Sequence, residues 1–306
     1  MTPILVIGRI DDPHVAAVID AARQGDAALV VDADTIRSVS WALRPSDARI
    51  GGYTVGGGTR GWVRRVAPAG YEHGLTLGSV EAAEHSAWLA FMTSLMRIDT
   101  IDWITSFDAT LRAEDKLVQY ATAAKLGVRH PDTLVASSAE ELAGLGSDVV
   151  VKPLGVGHYS DDEAGPRVVP AQALGADDLR LAHLDGAPFI VQRRVRATAH
   201  LRTVTVQHDV FTARLPADDL PLDWRSDADA HHNFEPYPTP PEVSDGALRL
   251  ADALDVGYSS QDWAVADDGA YFLDLNPVGQ WLFLPEPVSG AVTRALAAWL
   301  DNGTPG

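Results

Sequence analysis

The chain has 306 residues, 46% of them hydrophobic and 22% charged, and a formal net charge of −18. That length and balance suit a soluble globular protein of two or three lobes, and so acidic a chain argues against a nucleic-acid partner, whose phosphates need a basic surface. It contains no cysteine, which excludes disulfides, thiolate metal sites and thiol nucleophiles and fits a reducing cytoplasm.

No apolar run approaches the roughly 18 residues of a membrane span. The opening MTPILVIGRIDD has no basic region before its apolar run, so a signal peptide is not expected. Residues 4–10 predict a buried parallel strand, 11–25 a helix with Val15, Val18, Ile19 and Ala22 on one side, and 28–31 a second strand. This strand–helix–strand order predicts a small α/β lobe. Gly8 is not followed by a glycine-rich fingerprint, so dinucleotide binding is not expected there. Residues 50–65 read as strands around the Gly56-Gly57-Gly58 turn and end in GWVRRV. Arg64 and Arg65 suit either a solvated edge or contact with a carboxylate of an acidic peptide.

Helical patterns follow over 79–95 and 110–126, the second carrying Lys116. The run VVVKP predicts a strand ending in Lys152, whose stem can pack while its ammonium reaches an anion. Residues 155–165 hold Asp161-Asp162-Glu163 between glycines. They read as a loop over phosphates, which glycine lets the backbone approach, or as a solvent hairpin. FIVQRRV is another strand. In HLRTVTVQHDVFTARL, Leu201, Thr203 and Thr205 alternate with Arg202, Val204 and Val206; Arg214 lies on the returning strand and Arg225 in the next loop. Residues 230–241 form a proline-rich loop. Its adjacent His231 and His232 have no third ligand at zinc spacing. Helices are expected over 243–254 and 288–300.

Between those two helices stands YSSQDWAVADDGAYFLDLNPVGQWLFLPEP, two apolar strands around an acidic turn. Taking Asp267-Asp268-Gly269 as a three-residue loop sets Asp262 opposite Asp274. One face then carries Trp263, Val265, Tyr271, Leu273 and Leu275, and the other Asp262, Asp274 and Asn276. Three oxygen donors on one face suit a hard cation such as Mg2+, which keeps waters and shares phosphate oxygens.

A strand ending in acidic-x-Asn-Pro resembles the magnesium signature of the ATP-grasp ligases. The longer DLNPVGQWLFLPEP is similar to the E-x-NP-x-GQW segment of their peptide-modifying branch. These are the graspetide synthetases, which cyclise ribosomal precursor peptides through ester or amide links. AEDKLVQYATAAKLGVRHPDTLV resembles the entry segment K-x-x-Q-x-x-x-A-x-x-x-G-x-x-x-P-x-T, with Lys116, Gln119, Gly127, Pro131 and Thr133 in register. Trp62, Arg64 and Arg65 match the N-terminal W-x-RR element. The chain departs from the pattern at Asp274, where the family usually carries Glu; an acidic oxygen is retained on a shorter arm.

The resemblance implies an α/β chain of α+β lobes with the ATP-grasp fold. It places an N-terminal α/β domain over 1–106, a central subdomain serving as lid over 107–190, and an antiparallel-sheet subdomain with the magnesium site over 191–306. It implies an ADP-forming ligase that activates Asp or Glu side chains as acyl phosphates for attack by an amine or hydroxyl. Asp262, Asp274 and Asn276 would hold Mg2+. Lys116 and Lys152 would contact ATP, and the backbone of Gln192, Arg193, Arg194 and Val195 would read adenine. Arg202, with Arg214 and Arg225, would stabilise the transferring phosphoryl. Arg64 and Arg65 would meet the substrate. The implied partner is a precursor peptide with a leader segment, the implied state a cytoplasmic homodimer. Two alternatives stay open: a ligase adding an amino acid to a small acid or peptide C-terminus, and an inactive ATP-grasp module that binds peptide.

Overall fold

The computed structural model describes residues 4–302, apart from 24–27, 33–35, 66–77, 139, 142–144, 146–147, 156–157, 162–164, 170, 176–187, 218–219, 221, 223 and 225–228. The first lobe opens with β1 (Ile4–Ile7), α1 (Pro13–Ala21) and β2 (Leu29–Val31). Three short strands follow, β3 (Trp41–Leu43), β4 (Ala48–Ile50) and β5 (Tyr53–Val55), paired antiparallel in that order. Then come β6 (Arg60–Val63), α2 (Val80–Leu95) and β7 (Asp102–Trp103). β2, β1, β6 and β7 form a parallel sheet in that order. β3 was not expected; Trp41, Ala42 and Leu43 are only partly buried and carry no alternation to read.

The expected helix over 110–126 is two helices, α3 (Phe107–Glu114) and α4 (Lys116–Leu126). Asp115 breaks them. Its backbone is extended, and its carboxylate accepts from the amides of Leu117 and Val118, an N-cap that outweighs continuing the helix. Lys116 therefore stands at the mouth of a helix rather than mid-helix on its flank. Gly127 ends α4 in the left-handed region (φ 67°) that glycine enters without strain.

The central sheet comprises β8 (Thr133–Ala136), β9 (Asp148–Pro153), β12 (Gln172–Gly175) and β13 (Phe189–Arg193), ordered β12-β9-β13-β8 and antiparallel throughout. β10 (His158–Asp161) and β11 (Gly165–Val168) pair as an antiparallel hairpin between β9 and β12. The third sheet holds β14 (Ala199–Val206), β15 (Asp209–Pro216), β16 (Glu235–Pro236), β17 (Tyr258–Ala266) and β18 (Gly269–Asn276), in the order β16-β15-β14-β17-β18. α5 (Pro241–Leu254) precedes β17, and α6 (Val288–Asn302) closes the chain.

This five-stranded sheet is covered on both faces. Leu201, Trp263, Phe272 and Leu275 pack under α3, α4 and α5. Val204, Val206 and Leu215 on the other face share a core with α6 and with Ile4, Val6, Val15 and Trp62 of the first lobe. The N-terminal lobe is thus welded to the last sheet, while the central sheet has a separate small core of Val149, Val151, Phe189 and Val191 with Ala136 and Leu174. Among the described residues no helix is long and apolar enough to cross a membrane.

Candidate active site

A cavity of about 650 Å³ opens between the central sheet and the five-stranded sheet. Val150, Lys152, Ile190 and Gln192 line it from one side; His200, Arg202, Asp262, Ala264, Leu273 and Asp274 line it from the other. Lys116 reaches in from the start of α4, and Val195 stands where the chain passes from one sheet to the other.

The β17–β18 hairpin builds the acidic end. The expected pairing of Asp262 with Asp274 is present, but the expected loop is not. Ala266 pairs with Gly269, leaving the two-residue turn Asp267-Asp268. The register then shifts by one between Asp262 and Trp263, where Leu273 is the extra residue of a β-bulge. The reason is packing. Trp263 and Phe272, 2% and 0% exposed, meet edge to face at 5.6 Å in the core, and burying a side chain of that size is worth roughly 1.5–3 kcal/mol. The extra residue lets that pair and the two aspartates coexist. Tyr271 and Leu273, expected on the apolar face with Val265, are corrected accordingly: Phe272 and Ala270 take that face. Leu273 looks into the cavity, and the Tyr271 hydroxyl donates to Asp268 at 2.7 Å.

Each carboxylate faces a cation from another element. Asp262 pairs with Arg202 of β14 at 2.8 Å, its register neighbour. Asp274 pairs with Lys116. Arg202 also donates to the Gln280 carbonyl at 3.3 Å, and its guanidinium lies 5.8 Å from the Phe283 ring centroid. Asn276 sits at the end of β18, its Oδ1 accepting from the Val278 amide at 2.9 Å. Among the described residues no three His, Asp or Glu side chains gather as a metal cluster. A cation here would draw on two carboxylates and the Asn276 amide oxygen, a hard-oxygen set that fits Mg2+. Gly279 lets the following loop close on the site, because a Cβ there would lie 2.5 Å from Ser260 Cβ.

α4 is locked to this hairpin by two side chains. The buried Gln119 accepts from the Leu275 amide at 3.0 Å and donates to its carbonyl at 2.7 Å, completing the edge of β18 as another strand would. Tyr120 donates to the Leu273 carbonyl at 2.6 Å. Burial, helped by the charge of Asp274, pushes its phenol up, so it stays protonated. Lys152 lies 3.2 Å from the Tyr120 hydroxyl. Thr133 accepts from Gln192 at 2.9 Å. Gln119, Gly127 and Thr133 thus serve the scaffold.

The remaining predicted residues divide. Arg193 lines the cavity, but its side chain is 61% exposed and pairs with Asp132 at 3.3 Å. Arg194 turns to Asp148 at 3.7 Å and lines a second, open cleft behind the strand crossing. Arg214 is opposite Leu201 in the ladder whereas Arg202 is opposite Ala213, so Arg214 faces away from the aspartates and pairs with Glu235 at 2.7 Å. The sequence reading did not separate these faces. Arg225 lies outside the described residues. Arg64 is neither a solvated edge nor a surface hook. It is 6% exposed, pairs with Asp12 at 3.2 Å and donates to the Val278 carbonyl at 2.6 Å, because β6 ends inside the core shared by the two lobes. Arg65 beside it is exposed.

Sequence reasoning missed His200, Leu222, Trp224 and Phe234, all lining the cavity. The signal for His200 was present: it lies two residues before Arg202 on one strand and so shares its face. The aromatics come from an irregular segment whose pattern carries no such signal.

No family model matches the chain, and no curated protein matches it. Solved structures do. An ATP-grasp ligase of Chryseobacterium gregarium associated with ribosomal peptide modification, in complex with ADP and a leader and core peptide, superposes with a TM-score of 0.84 at 19% identity, over 100% of this chain and 98% of that one. The macrocyclase MdnC of Microcystis aeruginosa, bound with precursor peptide MdnA, gives 0.82 at 21% identity, over 99% and 100%. A RimK domain ATP-grasp protein of Sphaerobacter thermophilus gives 0.60 at 17%, over all of both chains. The chain has the ATP-grasp fold.

Proposed function

We propose that the chain is an ADP-forming ligase that activates Asp or Glu side chains of a ribosomally made precursor peptide and closes them onto an amine or hydroxyl of the same peptide. One observation carries this: two facing carboxylates, each held by its own cation, at the end of a cavity roofed by Lys152 and a strand crossing. The whole-length likeness to two ligases whose complexes hold precursor peptide supports the peptide substrate.

In this reading a substrate carboxylate oxygen attacks the γ-phosphorus of ATP. The bond from that phosphorus to the β-γ bridging oxygen breaks, and ADP leaves. The acceptor nitrogen or oxygen then attacks the acyl phosphate, losing a proton as inorganic phosphate departs. No enzyme nucleophile is needed, so the lack of cysteine costs the chemistry nothing. The protein's work is alignment and charge neutralisation. Asp262, Asp274 and Asn276 would hold magnesium, which when bound neutralises and orients phosphate oxygens. Lys116 and Lys152 would neutralise the nucleotide's phosphates, and Arg202 the transferring group. Adenine would lie against Ile190 and the backbone from Gln192 to Val195, which needs no particular side chain at Arg193 or Arg194.

The test is mass spectrometry of candidate precursor peptides, rich in Thr, Asp and Glu, incubated with the protein, ATP and Mg2+. Loss of one water per link, with one ADP released for each, is the expected result. Gain of an amino-acid mass would instead support the small-acid or peptide C-terminus ligase. Peptide binding with no nucleotide binding would reduce the chain to a recognition module.

A further inference from the structure

Arg64 is buried in a place where the proposed substrate role cannot use it, and its partners show what it does instead. Val278 stands two residues after Asn276, and its amide is the donor to the Asn276 side chain. Its carbonyl accepts from Arg64 at 2.6 Å. Arg64 is held by Asp12, whose second oxygen takes the His14 amide at 2.8 Å and lies 3.0 Å from His14 Nδ1. His14 Nε2 faces the amides of Trp281 and Leu282 at 3.3 and 3.4 Å, and its ring meets the Trp281 ring edge on at 4.6 Å. Nε2 receives two amides and so accepts, and of the two groups at Nδ1 the Asp12 carboxylate at 3.0 Å is nearer than the Arg64 Nη2 at 3.4 Å, so the proton sits on Nδ1 and is donated to Asp12. Burial, with the charge of Arg64, holds the imidazole below its ordinary value and neutral, as this arrangement requires. The loop from 278 to 282 is therefore fastened at both ends by residues of the first lobe, and Gly279 at its middle accepts from the buried Tyr258 hydroxyl at 2.8 Å.

We propose that Asp12, His14 and Arg64 are positioning residues for the cation site: by fixing Val278 and Trp281 they fix where Asn276 points its amide oxygen. The inference rests on the ligase reading and deepens it. Groups that orient a metal ligand typically change metal affinity by roughly 10–100-fold when removed, without touching the metal or the nucleotide.

The experiment is calorimetric titration of ADP into the protein with and without MgCl2, which needs no peptide and no turnover. In wild type, Mg2+ tightens ADP binding. Arg64→Met and His14→Leu are expected to lower that magnesium-dependent gain by about tenfold or more while metal-free ADP affinity stays as in wild type. His14→Gln, which offers an acceptor oxygen near the place of Nε2, is expected to keep most of the gain. Arg64→Lys keeps the charge but lacks the fork that serves Asp12 and Val278 together, so it falls between. Should Arg64→Met fail to fold, the contrast between His14→Leu and His14→Gln decides. A full magnesium gain in the folded Leu and Met variants, or equal losses with and without metal, overturns the proposal. A wild-type protein whose ADP affinity ignores Mg2+ overturns the ligase reading first.

Discussion

The acidic end of the cavity and the strand crossing use the same residue types to opposite effect. At the acidic end, the side chains of Arg202 and Asp262 are 11% and 22% exposed, and those of Lys116 and Asp274 are 27% and 30%. At the strand crossing, Arg193 and Asp132 are 61% and 65% exposed, and Arg196 and Asp148 are 77% and 40%. Charge attraction weakens several-fold as the surroundings become more water-like. At the first end, removing one partner strands the other in a poorly solvated site. At the second, water replaces whatever is removed. Chemistry that depends on charge therefore belongs at the half-buried end, and the crossing contributes its backbone.

The sharpest way to break this contrast is Asp274→Ala. It removes one of two facing carboxylates and leaves Lys116 without its partner. Magnesium-dependent ADP release with a peptide substrate is expected to fall by on the order of 10³-fold, while the fold survives because Asp274 lies outside the apolar core. Wild-type turnover in that variant would remove the cation assignment. Next in size is Arg202→Met, which keeps the stem and deletes the charge. Turnover is expected to drop by about 10²-fold, and urea denaturation should show a loss of about 1–2 kcal/mol, since Asp262 stays partly buried without its partner. Arg214→Met, on the opposite face against Glu235, is expected to leave the magnesium dependence unchanged.

Acid sharpens a different part of the comparison. His14 is neutral when folded because burial comes first and the Arg64 charge second; Asp12 opposes both through its hydrogen bond and charge. Its folded value is depressed, so the unfolded chain binds the extra proton more readily. The stability it carries is complete above its ordinary value of 6.5 and is lost progressively as pH falls below it. Denaturation midpoints measured from pH 7.5 down to about 5 should fall in wild type and fall less in His14→Gln. Arg64 and Asp12 are the ionisable groups that act on it, and neither has an ordinary value inside that window.

Much of this was legible because strands alternate. Two-residue periodicity in HLRTVTV placed Arg202 on the face opposite Leu201, and the two apolar strands around the acidic turn set Asp262 opposite Asp274. What was not legible were the places where one local rule gave way to another. The bulge at Leu273 is invisible in sequence, because a three-residue loop gives the same Asp262–Asp274 pairing without it. The break at Asp115 was hidden because a helix pattern tolerates one aspartate; the cap it forms on Leu117 and Val118, with Gln119 and Tyr120 docked on β18, starts α4 afresh. Arg64 beside Arg65 looked like a surface pair. Its burial follows from Asp12, 52 positions earlier, a partner that no local pattern points to.

The smallest expected effect tests the quiet side of the comparison. Arg193 lies in the segment assigned to the adenine, yet its side chain leans outward to Asp132 while its amide donates to the Asp132 carbonyl at 3.0 Å. Arg193→Ala removes an exposed ion pair worth about 0.2–1 kcal/mol and keeps the amide. Stability is expected to change by no more than about 1 kcal/mol, and ADP affinity by less than the few-fold that such an energy represents. The corresponding change at Gln192, 4% exposed and bonded to Thr133, cuts into the pairing of β13 with β8 and is expected to cost more in both measurements. If Arg193→Ala weakened ADP binding as strongly as Gln192→Ala, the guanidinium itself would be contacting the nucleotide, and the crossing would have to be counted with the charged end of the cavity.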